Sequence, residues 1–205
     1  MLEASHLECV RGNRTIFRDV SFAVHPGDCF RLTGPNGSGK TSLLRMLCGL
    51  LSPVSGTIRW HGAGIETIGE KYFSAIAYVG HRPGIKDEMS AMENLQVSSG
   101  MSGFEVSREA AASALERMGL GCRMHLPARF LSEGERRRAA LARLVVRRSS
   151  LWLLDEVLTS LDQLAVETIQ LLIGDHLADG GMAIVATHQE LKLASGRYQR
   201  IELAA

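Results

Sequence analysis

Residues 34–42 read Gly34-Pro35-Asn36-Gly37-Ser38-Gly39-Lys40-Thr41-Ser42, a Gly followed after four residues by Gly-Lys-Thr. A triphosphate crowds negative charge onto a few oxygens, so a backbone that cradles it must bring several N–H groups close. The glycines at 34, 37 and 39 lack the Cβ that would hold the chain away. Lys40 can reach the β and γ oxygens as a point charge, and the Thr41 hydroxyl can ligate Mg²⁺. A Gly-rich surface turn is the plain alternative, and the flanks argue against it. Cys29-Phe30-Arg31-Leu32-Thr33 reads as a strand, and Ser42–Cys48 as a helix whose N-terminus would point at the phosphates.

A second cluster lies far downstream. Leu151-Trp152-Leu153-Leu154 is an apolar run of buried-strand length that ends in Asp155-Glu156. Beside a phosphate loop, Asp155 would hold Mg²⁺ through water, and Glu156 would orient or deprotonate an attacking water. Two acids in a turn at a strand end are otherwise common. His188 follows another buried run, Met182–Ala186 and Thr187, from where an imidazole could touch a γ-phosphate. Alone, a His in that position is more often structural or solvated, so its weight comes from the other motifs.

The elements that must position these groups alternate along the chain. Segments 2–10 and 16–24, joined by a turn at 11–14, suggest an antiparallel piece before the phosphate-loop strand. Thr57–Trp60 and Ser74–Val79 read as further strands, and 198–204 as an edge strand. From about 88 to 148 the pattern turns helical: Met89–Ser98, a flexible link at 99–103, Ser107–Met118, and Glu133–Arg147. A last helix spans Asp162–Leu177. Strands alternating with helices predict a largely parallel α/β sheet carrying an inserted helical subdomain.

Bulk properties narrow the classes further. A length of 205 residues fits one sizeable core with an appended part. The net charge of +1 creates no global field toward nucleic acid or anionic membrane. No apolar run approaches the roughly 18–20 residues of a membrane span, and Met1–His6 has no signal-peptide pattern. Cys9, Cys29, Cys48 and Cys122 are scattered without a C-x-x-C pair, as in a reducing compartment. Arg136-Arg137-Arg138 invites a nucleic-acid reading, but such a run is more often a solvated helix face, and aromatics are only 5%. No nucleic-acid partner is expected.

Leu131-Ser132-Glu133-Gly134-Glu135, followed by Arg136–Arg143, resembles the signature motif and helix of ATP-binding-cassette ATPases. Asp155-Glu156, Ser160-Leu161-Asp162 and His188 resemble that family's Walker B, D-loop and switch histidine, in the family's order. The resemblance covers essentially the whole chain. It implies a single ATPase domain over 1–205, α/β with a P-loop NTPase core at 1–87 and 149–205. An N-terminal antiparallel β piece belongs to that core, and a helical subdomain is inserted at 88–148. It also implies ATP and Mg²⁺ as ligands, Glu156 and His188 as catalytic groups, and a head-to-tail dimer. In that dimer Ser132 and Gly134 contact the γ-phosphate bound by the other copy, and the motion drives transmembrane subunits.

A narrower resemblance runs through Tyr78–Lys86, Glu93-Asn94-Leu95, Gly180-Gly181-Met182 and Thr187-His188-Gln189. It is to the ATPase subunits of the haem exporters of bacterial cytochrome c maturation. It implies an integral membrane permease subunit and haem-handling membrane proteins as partners, at the cytoplasmic face of the inner membrane. His81 aligns with the Gln that links Mg²⁺ to the membrane subunit; shifting the alignment by one residue puts Arg82 there.

Four positions depart from the family pattern. The signature's first Gly is Glu133, expected to point away along its helix, and its Gln is Glu135. Val157 replaces the Pro after the catalytic Glu, and Arg11 stands where an aromatic stacks on adenine, its guanidinium plane able to stack instead. Because no phosphate or Mg²⁺ group is missing, an active but slow ATPase is expected. A motor for another cargo and a weakly hydrolysing, nucleotide-dependent clamp remain open.

Overall fold

Leu151–Asp155 and Met182–Ala186 are buried at every position in the computed structural model, which describes residues 1–193 and 196–203. Strands covered on both faces read as continuous apolar runs rather than alternating ones. The architecture follows from that.

In chain order, β1 (Leu2–Arg11) and β2 (Arg14–Val24) form a hairpin, and β3 (Asp28–Thr33) leads into the phosphate loop and α1 (Lys40–Leu47). Then come β4 (Ser55–Trp60), the two-residue β5 (Ala63–Gly64), the short helices α2 (Ile65–Ile68) and α3 (Glu70–Ala75), and β6 (Ile76–Val79). Three helices follow: α4 (Ala91–Met101), α5 (Arg108–Arg117) and α6 (Glu133–Val146). The chain returns through β7 (Leu151–Asp155), α7 (Gln163–Ala178), β8 (Met182–Ala186) and β9 (Arg197–Glu202).

The strands form two sheets. One is antiparallel, in the order β2-β1-β4-β5; the other is parallel, in the order β6-β7-β8-β3-β9. The parallel sheet separates two apolar layers by the period of two along its strands. Leu151, Leu153, Met182 and Ile184 join α1 and β1 on one side, whereas Trp152, Leu154, Ala183 and Val185 join α4–α7 on the other. Leu151, Leu153 and Leu154 are fully inaccessible, and each such side chain contributes about 1.5–3 kcal/mol through burial. That layering fixes the carboxyl ends of β3, β7 and β8 side by side, where the chemistry-bearing residues follow.

The structure departs from sequence-based expectation at several boundaries; α1 starts at Lys40 and β4 at Ser55, each two residues early. Residues 74–75 end a helix instead of starting a strand, because Tyr72 is fully buried with its hydroxyl donating to the Leu47 carbonyl. The link expected at 99–103 begins later, since α4 runs to Met101. Ser98 and Ser99 donate to the Leu95 carbonyl at 3.0 and 2.8 Å, so their hydroxyls are satisfied inside the helix. α4 starts at Ala91, not Met89, because Ser90 and Glu93 form a capping box. The edge strand at the chain's end is present as β9 beside β3; residue 204 lies outside the described residues.

Candidate active site

α1 has Gly39 as its N-cap, left-handed at φ 97°, and no side chain among the described residues caps its first amides. Those N–H groups are therefore left for an outside acceptor, with the positive end of the helix behind them. A Cβ on Gly34 would sit 2.5 Å from both the Leu203 carbonyl and Ser38 Oγ, and one on Gly39 would sit 2.6 Å from Ile16 Cγ2. The loop is thus pressed against β2 and the end of β9, and both contacts demand glycine. Lys40 is 8% exposed and donates to the carbonyls of Gly34 at 2.8 Å and Pro35 at 3.2 Å. Its ammonium already lies within the curl of the loop.

Asp155 ends β7 at 1% exposure, and neither carboxylate oxygen has a hydrogen-bond partner among the described residues. A buried carboxylate without partners is costly, and its oxygens are hard donors of the kind Mg²⁺ or its water shell takes. Burial, helped by the charge of Asp155, pushes the Cys48 thiol up to about 12 and also raises the Tyr78 phenol. Glu156 is left-handed at φ 52°, and its N–H donates to the Ala186 carbonyl at 2.9 Å. Its Oε1 lies 3.5 Å from His188 Nε2. His188 is held in turn by Arg31 of β3, whose Nη2 donates to its carbonyl at 2.7 Å.

One cleft of about 570 Å³ gathers Arg11, Asn36, Gly37, Gly39, Lys40, Thr41, Ser42, His81, Asp155 and Glu156. Gly34, Pro35 and Ser38 form the inner turn of the loop, and His188 reaches the cleft through Glu156. Of the two candidates at 81 and 82, His81 is the one on the cleft wall. Arg11 lines the same cleft, with Arg14 and Ile16. A cavity of similar size, about 590 Å³, between the end of α1 and β4 contains none of these groups.

Ser132 and Gly134 are not part of that cleft. They open α6, and a Cβ on Gly134 would lie 3.0 Å from the Ser160 carbonyl. Ser132 and Glu135 form a capping box: Ser132 N–H donates to Glu135 Oε2 at 2.8 Å and Glu135 N–H to Ser132 Oγ at 3.2 Å. The Ser132 amide holds the Glu135 carboxyl below its usual range. Glu135 is therefore built into the helix start, and the Ser-x-x-Glu spacing was a readable signal for it. Glu133 does not lie along its helix; it accepts a hydrogen bond from Ser160 Oγ at 3.2 Å. Val157 is wholly buried in the core.

The arginine run is not one solvated face. Arg136 pairs with Asp87 at 2.8 Å and Arg138 donates to the Met118 carbonyl at 3.0 Å, but Arg137 is buried at 4% exposure. Arg137 and Arg31 are the residues near the site that sequence reasoning missed. For Arg31 the signal was a charge inside a strand otherwise buried.

The family described as ABC transporter matches residues 17–159. The chain is 50% identical to the cytochrome c biogenesis ATP-binding export protein CcmA of Nitrosospira multiformis, over 98% of each chain. It is 51% identical to the protein of that name from Nitrosomonas europaea, over 95% of this chain and 92% of the relative. Among solved structures, an ABC transporter ATP-binding protein from Pyrococcus furiosus superimposes with a TM-score of 0.84 at 22% identity, covering 97% and 96% of the two chains. A dimeric ATP-binding cassette in a post-hydrolysis state with ADP and phosphate gives 0.81 at 21% identity, covering 92% and 88%. With a phosphate loop, a paired-acid strand end and a capped signature helix in one fold, this chain belongs to the ABC transporter family, in its branch of cytochrome c biogenesis ATP-binding export proteins.

Proposed function

We propose that the chain is the ATP-hydrolysing motor subunit of a membrane complex that exports haem, or releases a haem-loaded chaperone, in cytochrome c maturation. The observation that carries the reading is the end of β7. There Asp155 is buried with both oxygens unpartnered among the described residues, and Glu156 follows beside His188, in the cleft that holds Lys40 and Thr41.

Lys40 and the uncapped amides of α1 bind and orient the phosphates of ATP. Thr41 and Asp155 would hold Mg²⁺, with His81 close by; when bound, the ion neutralises charge on the β and γ oxygens. Glu156 orients the attacking water and takes its proton, and His188 holds that carboxylate in place beside the γ-phosphate. Arg11 offers a flat guanidinium to the base.

Ser132 and Gly134, outside this chain's own cleft, serve the nucleotide of a second copy in a head-to-tail dimer. Family membership implies that dimer and a membrane partner. No helix among the described residues is long and apolar enough to cross a membrane. Attachment to the cytoplasmic face of the bacterial inner membrane then runs through the permease subunit. The names of the relatives support the cytochrome c setting.

Purifying the chain with whatever membrane proteins it retains tests this. A permease and a haem-handling membrane protein are expected to co-purify, and ATP hydrolysis by that complex is expected to vanish when Mg²⁺ is chelated. Recovery with an unrelated permease would overturn the cargo, and hydrolysis indifferent to chelation would overturn the roles of Thr41 and Asp155.

Glu133 introduces an acid next to the signature's Ser132. Two like charges 4 Å apart repel by about 1 kcal/mol in water and several times that in a drier interface. Glu133→Gly is therefore expected to raise the ATPase rate of the complex severalfold. A lower rate would mean that the contact between Glu133 and Ser160 supports turnover.

A further inference from the structure

Arg137 is a buried cation with no ion-pair partner among the described residues. Its Nη1 donates to the Glu156 carbonyl at 2.6 Å and its Nη2 to the His81 carbonyl at 3.1 Å, while its Nε is buried without a partner. Taking a guanidinium out of water without a carboxylate is unfavourable. Here the charge is instead met by two backbone carbonyls, one just after β6 and one just after the neighbouring β7. Both belong to residues lining the cleft.

The geometry points to Arg137 as a positioning residue for hydrolysis: its guanidinium fork locks the backbone of Glu156 and of His81 to the signature helix α6. Three features support the assignment. Glu156 is a non-glycine residue at φ 52°, a conformation that L residues hold only when their surroundings enforce it. The backbone of Glu156 is fixed on both sides of its Cα, its N–H on the Ala186 carbonyl of β8 and its C=O on Arg137 of α6. The guanidinium is planar with donors at fixed angles, so its two carbonyls cannot move independently of each other or of α6.

The consequence is a mechanical link. The helix whose first turn carries Ser132 and Gly134 is tied, one turn on, to the peptides that aim Glu156 and His81. A shift of α6 relative to the parallel sheet thus displaces both residues of this chain's cleft together. Arg137 touches neither nucleotide nor water in this scheme and acts only through the residues it holds. The inference rests on the reading of Glu156 as the group that activates water.

The test compares the full chain, purified with its membrane partners, as wild type, Arg137→Met, Arg137→Lys and Glu156→Gln. Met keeps the length of the apolar stem and drops both hydrogen bonds; Lys keeps a charge and can serve one carbonyl. For Arg137→Met, kcat is expected to fall on the order of 10²-fold with KM for ATP changed by less than about twofold, the pattern of a misplaced catalytic group. Arg137→Lys should recover part of that loss. Thermal melting of Arg137→Met should change little, because removing a buried charge without an ion pair offsets the loss of its two hydrogen bonds to carbonyls.

An unchanged kcat in Arg137→Met overturns the proposal. So does a raised KM or lost ATP binding together with lowered melting temperature, which would assign Arg137 to the fold. If Arg137→Met does not yield folded protein, Arg137→Lys decides by the same split between kcat and KM. Should Glu156→Gln hydrolyse ATP like wild type, it is the reading of Glu156 that fails. Should Glu156→Gln be inactive and both Arg137 variants normal, only the role of Arg137 fails.

Discussion

Glu156→Gln is expected to lower ATP hydrolysis by the assembled complex roughly 10²–10⁴-fold, the range that a positioned general base supplies. Equilibrium binding of ATP should be unchanged. The substitution preserves shape and removes only the capacity to accept a proton and the negative charge. Nothing that holds the backbone at 156 depends on the side chain: its N–H bonds to Ala186 and its C=O is held by Arg137. Among the described residues its one side-chain partner is His188, 3.5 Å from Oε1, and a Gln amide oxygen can keep that contact. Steady-state phosphate release measured beside ATP binding separates the effects. Equal rates above background would remove Glu156 from the chemistry, whereas no hydrolysis above background by either protein would leave the chain a nucleotide-dependent clamp.

Lys40→Ala is expected to remove measurable ATP binding. Deleting one member of a buried, hydrogen-bonded charge pair costs roughly 2–5 kcal/mol, which raises Kd about 30- to 4,000-fold. Lys40 is 8% exposed and hydrogen-bonded to the carbonyls of Gly34 and Pro35. The same side chain therefore shapes the loop that it serves. Truncation leaves those two carbonyls without their donor as well as the phosphates without their cation, and both losses weaken binding. Titration of the purified chain with ATP checks this, and unchanged affinity would show that the loop binds nucleotide without its lysine.

The two variants probe different links. Lys40 belongs to a segment of local sequence, where strand, loop and helix follow one another and the proposed phosphate-binding groups are adjacent residues. Glu156 meets His188 and shares a cleft with the phosphate loop only because β7 lies beside β8 in a sheet that also contains β3, as the order β6-β7-β8-β3-β9 arranges.

Local chemistry was legible for that reason. The glycine spacing at 34–39, the apolar runs at 151–154 and 182–186 and the acids that end the first are patterns whose meaning survives without tertiary context. The same holds for the α/β alternation and hence the fold class. Boundaries were less legible where a side chain's long-range partner decided them. Tyr72 pulls residues 70–75 into a helix through Leu47, and no local signal announces that contact.

By itself the sequence determined which residue types are present for phosphate, cation and water, and that strands would deliver them. Backbone amides, glycine conformations and apolar periodicity are short-range properties, written residue by residue. Only the tertiary structure decided which side chains meet. It placed Arg11 and His81 on the wall of the same cleft as Asp155, left Ser132 and Gly134 outside it, turned Glu133 onto Ser160, and buried Arg137 among carbonyls. The physical reason is that burial is a property of the packed interior. An arginine on a solvated helix face and an arginine buried against backbone carbonyls share one letter, and the difference lies in what the fold sets against them.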